Sequence, residues 1–187
     1  MSKKMSSHFA LRSTFVLTIS AAVLVLTGVV YAQHDMPAGM SHEQHQAQMK
    51  KEAEMKKRGT AAMGFDQDKT THHFLLHRDG GAIQVETNDT ADASSRDQIR
   101  SHLKAISEQF TKGDFSAPFA THNETIPGVT TMQRLKSKIT YAFEEKPQGA
   151  VIQIKSGDRK AIAAIHDFLK YQIKEHATGD PTELTDR

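Results

Sequence analysis

The chain has 187 residues and no cysteine, and its 24 Lys and Arg against 22 Asp and Glu give a formal net charge of +2. The absence of cysteine excludes disulfide frameworks, iron–sulfur clusters and cysteine-based zinc sites, so any metal site must use His, Met, Asp, Glu or backbone groups. The small net charge gives no electrostatic reason to expect nucleic acid as a partner.

The first 32 residues have the pattern of an export signal. Basic residues ending with Arg12 precede an uncharged apolar run at 14–30, and the small residue Ala32 stands where a signal peptidase reads the chain. Cleavage after Ala32 removes three basic residues and no acidic one, so the formal charge falls from +2 to −1. We therefore expect a periplasmic or secreted protein, in contact with a membrane only through residues 1–32 if they stay uncleaved.

The segment 33–62 is polar, and no apolar periodicity in it predicts a core. Good helix formers start after Ser41, a common N-cap residue, and Gly59 is a typical helix stop. The sequence therefore predicts a partly helical, solvent-exposed tail. The run HDMPAGMSHEQHQAQM at 34–49 holds three histidines and three methionines, which makes this tail rich in soft metal ligands.

The tail is a candidate copper site because copper accepts both imidazole and thioether ligands, and methionine favours Cu(I). On the predicted helix, His42, His45 and Met49 share one face and can converge on one ion. The candidate ligands in the tail are His34, Met36, Met40, His42, His45 and Met49. The alternative is a hydrophilic linker whose composition has no metal role.

Two similar runs follow, and each predicts a hairpin and a helix. In the first, TTHHFLLHRDGGAIQVET alternates apolar residues on both sides of an Asp-Gly-Gly turn, and a helical stripe from Ile99 to Phe110 ends at Gly113. In the second, alternating residues flank the turn at Pro147-Gln148-Gly149, and a stripe runs from Ile162 to Ile173.

These runs predict an α+β domain at residues 63–178. We expect two ββα units, derived from an internal duplication, that form one four-stranded antiparallel sheet with two helices on one face. The run at 115–134 predicts a long loop, and residues 179–187 a flexible C-terminus. A shift of 63 residues between the helices places His166 at the position of Leu103, where we expect it to bond a backbone carbonyl.

Four residues of this domain are further candidate metal ligands: Met63, His72, His73 and His122. His72 and His73 face opposite sides of a strand. His73 and His77 share a side but lie about 13 Å apart, so they cannot share an ion without a ligand from another element. The alternative is that these two histidines lie on the open face of the sheet without a metal role.

Several phrases resemble a small family of exported bacterial proteins that has no assigned activity. The phrases are MGFDQDKTTHHF at 63–74, GGAIQVE at 80–86, SRDQIRSHL at 95–103, GDFSAP at 113–118 and AIHDFLKYQIKEHATGDP at 164–181. Such sequences are sometimes labelled aspartate carbamoyltransferase. That enzyme has two α/β domains and a Ser-Thr-Arg-Thr phosphate-binding turn, and this chain has neither the length nor the motif. The resemblance brings no residue roles.

We expect an exported protein that binds or buffers a transition metal, copper first, as Cu(I) or Cu(II). The alternative is a periplasmic module that binds another protein or a small ligand and has no metal role. No G-x-S-x-G, P-loop or G-x-G-x-x-G motif predicts an enzyme, and a small hydrolase or lyase with a histidine base is the weaker third option.

Overall fold

A computed structural model describes residues 40–185 of the chain. Its helices and strands, in chain order, are α1 (His42–Met63), β1 (Thr70–His77), β2 (Gly80–Thr87), α2 (Ala93–Lys112), α3 (Ser116–His122), α4 (Val129–Arg134), β3 (Ile139–Lys146), β4 (Gly149–Ser156) and α5 (Arg159–Glu175). The predicted signal segment and two tail ligands, His34 and Met36, lie outside the described residues. Within residues 40–185, no helix has the length and apolar character needed to cross a membrane.

The four strands form one antiparallel sheet in the order β1-β2-β4-β3. Each predicted hairpin is present, and the two hairpins meet where β2 pairs with β4, with Ile83 opposite Ile152. Alternate side chains of a strand point to one face, and on this face Phe74, Leu76 and Ile154 are buried in the core. The predicted α+β fold, with an antiparallel four-stranded sheet and helices packed on it, is confirmed.

The helix of each ββα unit lies mainly over the hairpin of the other unit. Helix α2, which follows the first hairpin, packs against β3 and β4, whereas α5, which follows the second, packs against β1 and β2. The two stripes that they bury, including Ile99 and Phe110 of α2 and Ile165 and Leu169 of α5, join one hydrophobic core with the sheet. The units therefore interlock, and the end of α5 comes close to β1.

The two helices correspond at a spacing of 66 residues, which corrects the predicted shift of 63. The N-caps Asp92 and Asp158 have this spacing, and so have the buried residues Leu103 and Leu169. His166 therefore does not occupy the position of Leu103. It is half-buried, and its Nε2 lies 2.9 Å from the carbonyl oxygens of both His77 and Gly80, so the predicted bond to a backbone carbonyl is confirmed.

Helix α1 extends beyond the predicted stop and packs on the domain. A capping box between Ser41 and Gln44 starts the helix, and Gly64, in the left-handed region at φ 77°, ends it. Gly59 lies buried inside α1, in the half that packs against α3. The Nε of Arg58 donates a hydrogen bond of 3.0 Å to the Thr121 carbonyl at the end of α3. The second half of α1 thus belongs to the folded unit that contains the sheet.

The predicted long loop at 115–134 instead contains the short helices α3 and α4. Phe115, Ile126 and Met132 anchor this segment in the hydrophobic core, which a periodicity search over so short a stretch does not detect. Helix α4 packs against α5. The segment therefore closes one end of the core and holds His122, its last α3 residue, beside α5.

After α5, the chain returns along the outer edge of β1. The Asp180 carboxylate accepts hydrogen bonds of 2.8 Å from the Phe74 backbone N–H and from Nδ1 of His73. The backbone N–H and the hydroxyl of Thr185 both donate to the Leu76 carbonyl, at 2.8 and 3.0 Å. These bonds satisfy polar backbone groups that an uncovered edge strand would expose.

Substitution Gly128→Ala should destabilise the fold much more than Gly64→Ala. Both glycines have a left-handed φ, 81° and 77°, which costs an L-residue about 1 kcal/mol. A Cβ at Gly128 would also lie 2.0 Å from the Ala164 carbonyl oxygen of α5, whereas a Cβ at Gly64 would meet no atom within 4 Å. We expect a difference of at least about 2 kcal/mol in the free energy of unfolding, measured by urea denaturation. Equal losses would contradict the packing of α4 on α5.

A candidate ligand pocket with four histidines

An apolar pocket of about 80 Å³ lies between the sheet, α2, α3, α5 and the end of α1. Aromatic and aliphatic side chains supply most of its wall, among them Phe65, Phe74, Ile83, Val85, Leu103, Ile106, Phe110 and Phe168. Its principal polar groups are four imidazoles and one carboxamide, those of His72, His102, His122, His176 and Gln172. Among the described residues, no charged Asp, Glu, Lys or Arg side chain lines it.

Each of the four histidines comes from a different element. His72 is on β1, two positions before Phe74 and on the same side of the strand, so it points towards the helices. His102 precedes the buried Leu103 in α2, His122 is the last residue of α3, and His176 is the C-cap of α5. Because α5 crosses onto β1 and β2, its C-terminal histidine meets the histidine of β1.

Phe65 and the four imidazoles form a continuous series of ring contacts. Phe65 meets the edge of His102 at a centroid distance of 5.7 Å and stacks on His72 at 6.1 Å. The rings of His72 and His176 are nearly parallel, at 13° and 5.8 Å, and the ring of His122 stands at 88° to that of His176, at 5.1 Å. These contacts hold the histidines in defined orientations at one site.

One hydrogen bond in the pocket fixes a tautomer. Nε2 of His122 lies 2.9 Å from Oε1 of Gln172, and because a carboxamide oxygen only accepts, Nε2 carries the proton and donates. Nδ1 of the neutral ring is then an acceptor. This Nδ1, Nε2 of Gln172 and Nε2 of His72 are buried without a hydrogen-bond partner among the described residues. Buried polar atoms normally have partners, so three unpaired ones in a single pocket require an explanation.

Burial keeps these imidazoles neutral near pH 7. It lowers the pKa of His72 and of His102 to about 4, and the pKa of His176 to about 3, from an ordinary value of 6.5. Neighbouring imidazoles lower the pKa further at His72 and His176. At His122 burial also lowers the pKa, although the bond to Gln172 and the carboxylates of Glu175 and Glu124 act in the opposite direction.

A polar outer groove adjoins the pocket and shares His72 and His176 with it. The ionisable side chains of this groove are Glu52, Lys56, Asp68 and Glu175. Lys51 of α1 donates to the Glu175 carboxylate at 2.8 Å and lies 3.4 Å from Glu124, which also accepts a hydrogen bond of 2.5 Å from the Tyr171 hydroxyl. The stacked pair His72 and His176 therefore stands between a charged groove and an apolar interior, and the Lys51 contacts tie α1 to α5 beside it.

The structure brings together only some of the predicted ligands. Of the four candidate ligands in the domain, Met63, His72 and His122 line the pocket. His73 lies on the other side of β1, bonded to Asp180. Of the tail ligands, Met40 directly precedes the N-cap of α1, and His42, His45 and Met49 lie in its first two turns, where Met49 is 46% exposed. Among residues 40–185, no three His, Asp or Glu side chains are arranged to hold a metal ion.

The sequence prediction missed His102, His176 and Gln172. His102 and Gln172 fall on the helical stripes that it identified, three positions after Ile99 and Leu169. His176 lies three positions beyond Ile173, the last residue of the second stripe. Polar residues at the spacing of those stripes are the signal in the sequence that points to them. What the stripes do not show is that α5 crosses to the first hairpin, and this crossing alone brings His176 to His72.

The polar side chains of the pocket are imidazoles, one carboxamide and the Thr121 hydroxyl. No family model, no curated protein and no solved structure matches the chain, so the family resemblance stays a prediction. Among the described residues that line the pocket, the only hydroxyl is that of Thr121, which donates to the Ala117 carbonyl at 3.2 Å, and no Ser, Lys, Asp or Glu side chain is present. Neutral imidazoles and a carboxamide can instead donate and accept hydrogen bonds or bind a soft metal ion.

The pocket should make the fold sensitive to acid between about pH 6.5 and pH 4. A histidine whose pKa is lowered by folding takes up its proton more readily in the unfolded chain. The stability it contributes is complete above the ordinary pKa of 6.5 and is lost as the pH falls towards the folded-state pKa. Each such group adds about 1.4 kcal/mol per pH unit to the slope of the free energy of unfolding against pH. Urea denaturation across this range should therefore give a slope that corresponds to the uptake of several protons on unfolding.

The variant His176→Phe should reduce this slope by about one proton. Tyr171→Phe is the matched control, because it keeps the ring contact with His122 and removes no imidazole. The same slope in wild type and His176→Phe would show that the buried histidines do not cause the acid sensitivity.

Proposed function

We propose that this chain is an exported binding protein whose ligand occupies the histidine-lined pocket. The observation that carries the proposal is the set of three buried polar atoms without protein partners, on His72, His122 and Gln172. The three residues line one small, otherwise mainly apolar space. A bound molecule that completes their hydrogen bonds explains why a core region retains them.

The free energy of folding supports the same interpretation. A buried donor or acceptor without a partner costs about 1–3 kcal/mol, and an apolar side chain of similar shape at the same position avoids this cost. Groups that reduce stability and persist in a pocket are typical of sites whose function requires them. Ordered water is the competing occupant, since a cavity of about 80 Å³ has room for roughly three water molecules.

Replacing one partner of the pair His122 and Gln172 should lower the free energy of unfolding, whereas replacing both should not. Gln172→Met alone leaves Nε2 of His122 without its acceptor, and we expect a loss of about 1–3 kcal/mol in the free energy of unfolding. The double variant His122→Phe/Gln172→Met replaces both partners with apolar groups of similar shape, and we expect a stability equal to or above that of the wild type. Urea denaturation near neutral pH measures both.

The control for this pair is His166→Phe, which removes a histidine that bonds two backbone carbonyls outside the pocket lining. It should destabilise the fold, because it removes the hydrogen bond to those carbonyls. If the double variant loses as much stability as the sum of its single variants, the pair is structural and the proposed function fails.

Copper binding at the start of α1 is a second candidate function, which we propose on a separate observation. The capping box of Ser41 and Gln44 fixes the first turn, so the helix that the copper prediction required exists. His42, His45 and Met49 lie three and four positions apart along it, in a part of α1 that is mostly exposed. Their imidazole and thioether groups suit Cu(I).

The triple variant His42→Ala/His45→Ala/Met49→Ala should lose most Cu(I) binding in a titration of the mature protein at roughly micromolar free metal. The control Gln46→Ala/Ala47→Ser changes the same two turns and should bind as the wild type does. If the triple variant keeps its affinity for Cu(I), the copper site lies in residues 33–40 or at Met63, His72 and His122 instead. No uptake by the wild type would end the copper proposal.

A further inference from the structure

Three of the residues that line the pocket, His72, His122 and Gln172, each carry a buried polar atom without a hydrogen-bond partner among the described residues. From their chemistry we infer that its ligand is a small neutral molecule with at least one donor and one acceptor, of the type of a primary amide or an unprotonated azole. This inference rests on the proposed function, because it names the class of ligand for the same pocket.

The donor and acceptor capacities of the three unpaired atoms define which hydrogen-bonding groups the ligand needs. Nε2 of Gln172 can only donate, so it needs an acceptor. Nδ1 of His122 can only accept, because the ring proton is on Nε2, which donates to Gln172. The third unpaired atom, Nε2 of His72, takes either role according to its tautomer. A purely apolar ligand leaves all three unpaired, whereas an amide or azole supplies both functions from adjacent atoms.

Charged ligands fit the pocket poorly. An anion would be buried without a cation, because no Lys or Arg side chain of the described residues lines the pocket, and a carboxylate has no proton to give to Nδ1 of His122. A cation would lack a carboxylate inside the pocket. Glu52 and Glu175 line the outer groove, and Glu175 is already paired with Lys51 at 2.8 Å. The charged groups therefore lie on the approach and the neutral groups lie inside.

The dimensions of the pocket limit the ligand further. A space of about 80 Å³ corresponds to roughly three water molecules, which are replaced by a molecule of about four or five non-hydrogen atoms. The ligand cannot insert between His72 and His176, because their centroids are 5.8 Å apart and a ring placed between two others needs about 7 Å. It must therefore lie beside this pair, in the part of the pocket that His122 and Gln172 also line.

The experiment compares five probes on the full mature protein near neutral pH. Acetamide and pyrazole are the neutral donor–acceptor probes, acetate and methylammonium are the charged probes, and xenon is the apolar probe. Imidazole ring signals in NMR spectra report entry into the pocket at His72 and His122. We expect acetamide or pyrazole to bind saturably, at least about tenfold more tightly than either ion.

The double variant His122→Phe/Gln172→Met supplies the matched test. It should lose at least about tenfold in affinity for acetamide and pyrazole and should still admit xenon, which needs no hydrogen bond. Its backbone amide spectrum verifies the fold independently.

The possible outcomes separate the two proposals. If xenon enters and the amide and azole do not, or if an ion binds more tightly than they do, the inferred ligand class is wrong and the binding function stands. If the double variant binds acetamide as the wild type does, the hydrogen-bond argument is wrong. If no probe enters and the pocket holds water only, the proposed function itself is overturned.

Discussion

The antiparallel pairing of β2 with β4 is the interaction on which the pocket depends. It joins the two hairpins into one sheet, with Ile83 opposite Ile152 and Val85 opposite Ala150. Gly149 permits this close contact, since a Cβ there would lie 2.0 Å from the Val85 carbonyl oxygen. Once the sheet is continuous, each helix can bury its stripe over the other hairpin, and the C-cap of α5 arrives at β1. Neither ββα unit alone would place the pocket histidines together.

Burial of this site has two opposite effects on its chemistry. It removes the imidazoles from water and so keeps them neutral, which leaves their lone pairs available for hydrogen bonds or soft metals near pH 7. The same burial leaves three polar atoms without protein partners and makes the folded state bind protons less readily than the unfolded chain. The buried polar groups that lower the stability of the fold are therefore the same groups that the proposed ligand would contact.

The sequence predicted elements well and their three-dimensional relations poorly. Both hairpins and both long helices follow from local patterns, because a period of two or of 3.6 is visible in residues such as Phe74 and Leu76 or Leu103 and Phe110. The wrong shift of 63 has a physical cause: it differs from 66 by three residues, nearly one helical turn, so the apolar stripes still overlap. The position of His166 was therefore assigned wrongly, although its bond to a carbonyl was predicted correctly.

For the site, too, the sequence predicts which residues are buried but not which of them meet. His72 shares a strand face with Phe74, and His102 and His176 share helix stripes with core residues, so each could be assigned to the interior from sequence alone. Their meeting could not, because it depends on the crossing of α5 and on the two short helices that replace the predicted loop. The donor–acceptor pair of His122 and Gln172 joins residues 50 positions apart, a relation that no local pattern records.

Helix α1 connects the two candidate sites and also separates them. Its start carries His42 in solvent, and its last residue, Met63, lines the pocket. The 22 residues of the helix span about 33 Å at 1.5 Å per residue, so the two groups of ligands cannot share one ion. The contact of Lys51 with α5 and that of Arg58 with α3 hold the middle and the second half of the helix on the domain. A ligand bound at one end of α1 can therefore affect the other site only through the docking of this helix on the domain.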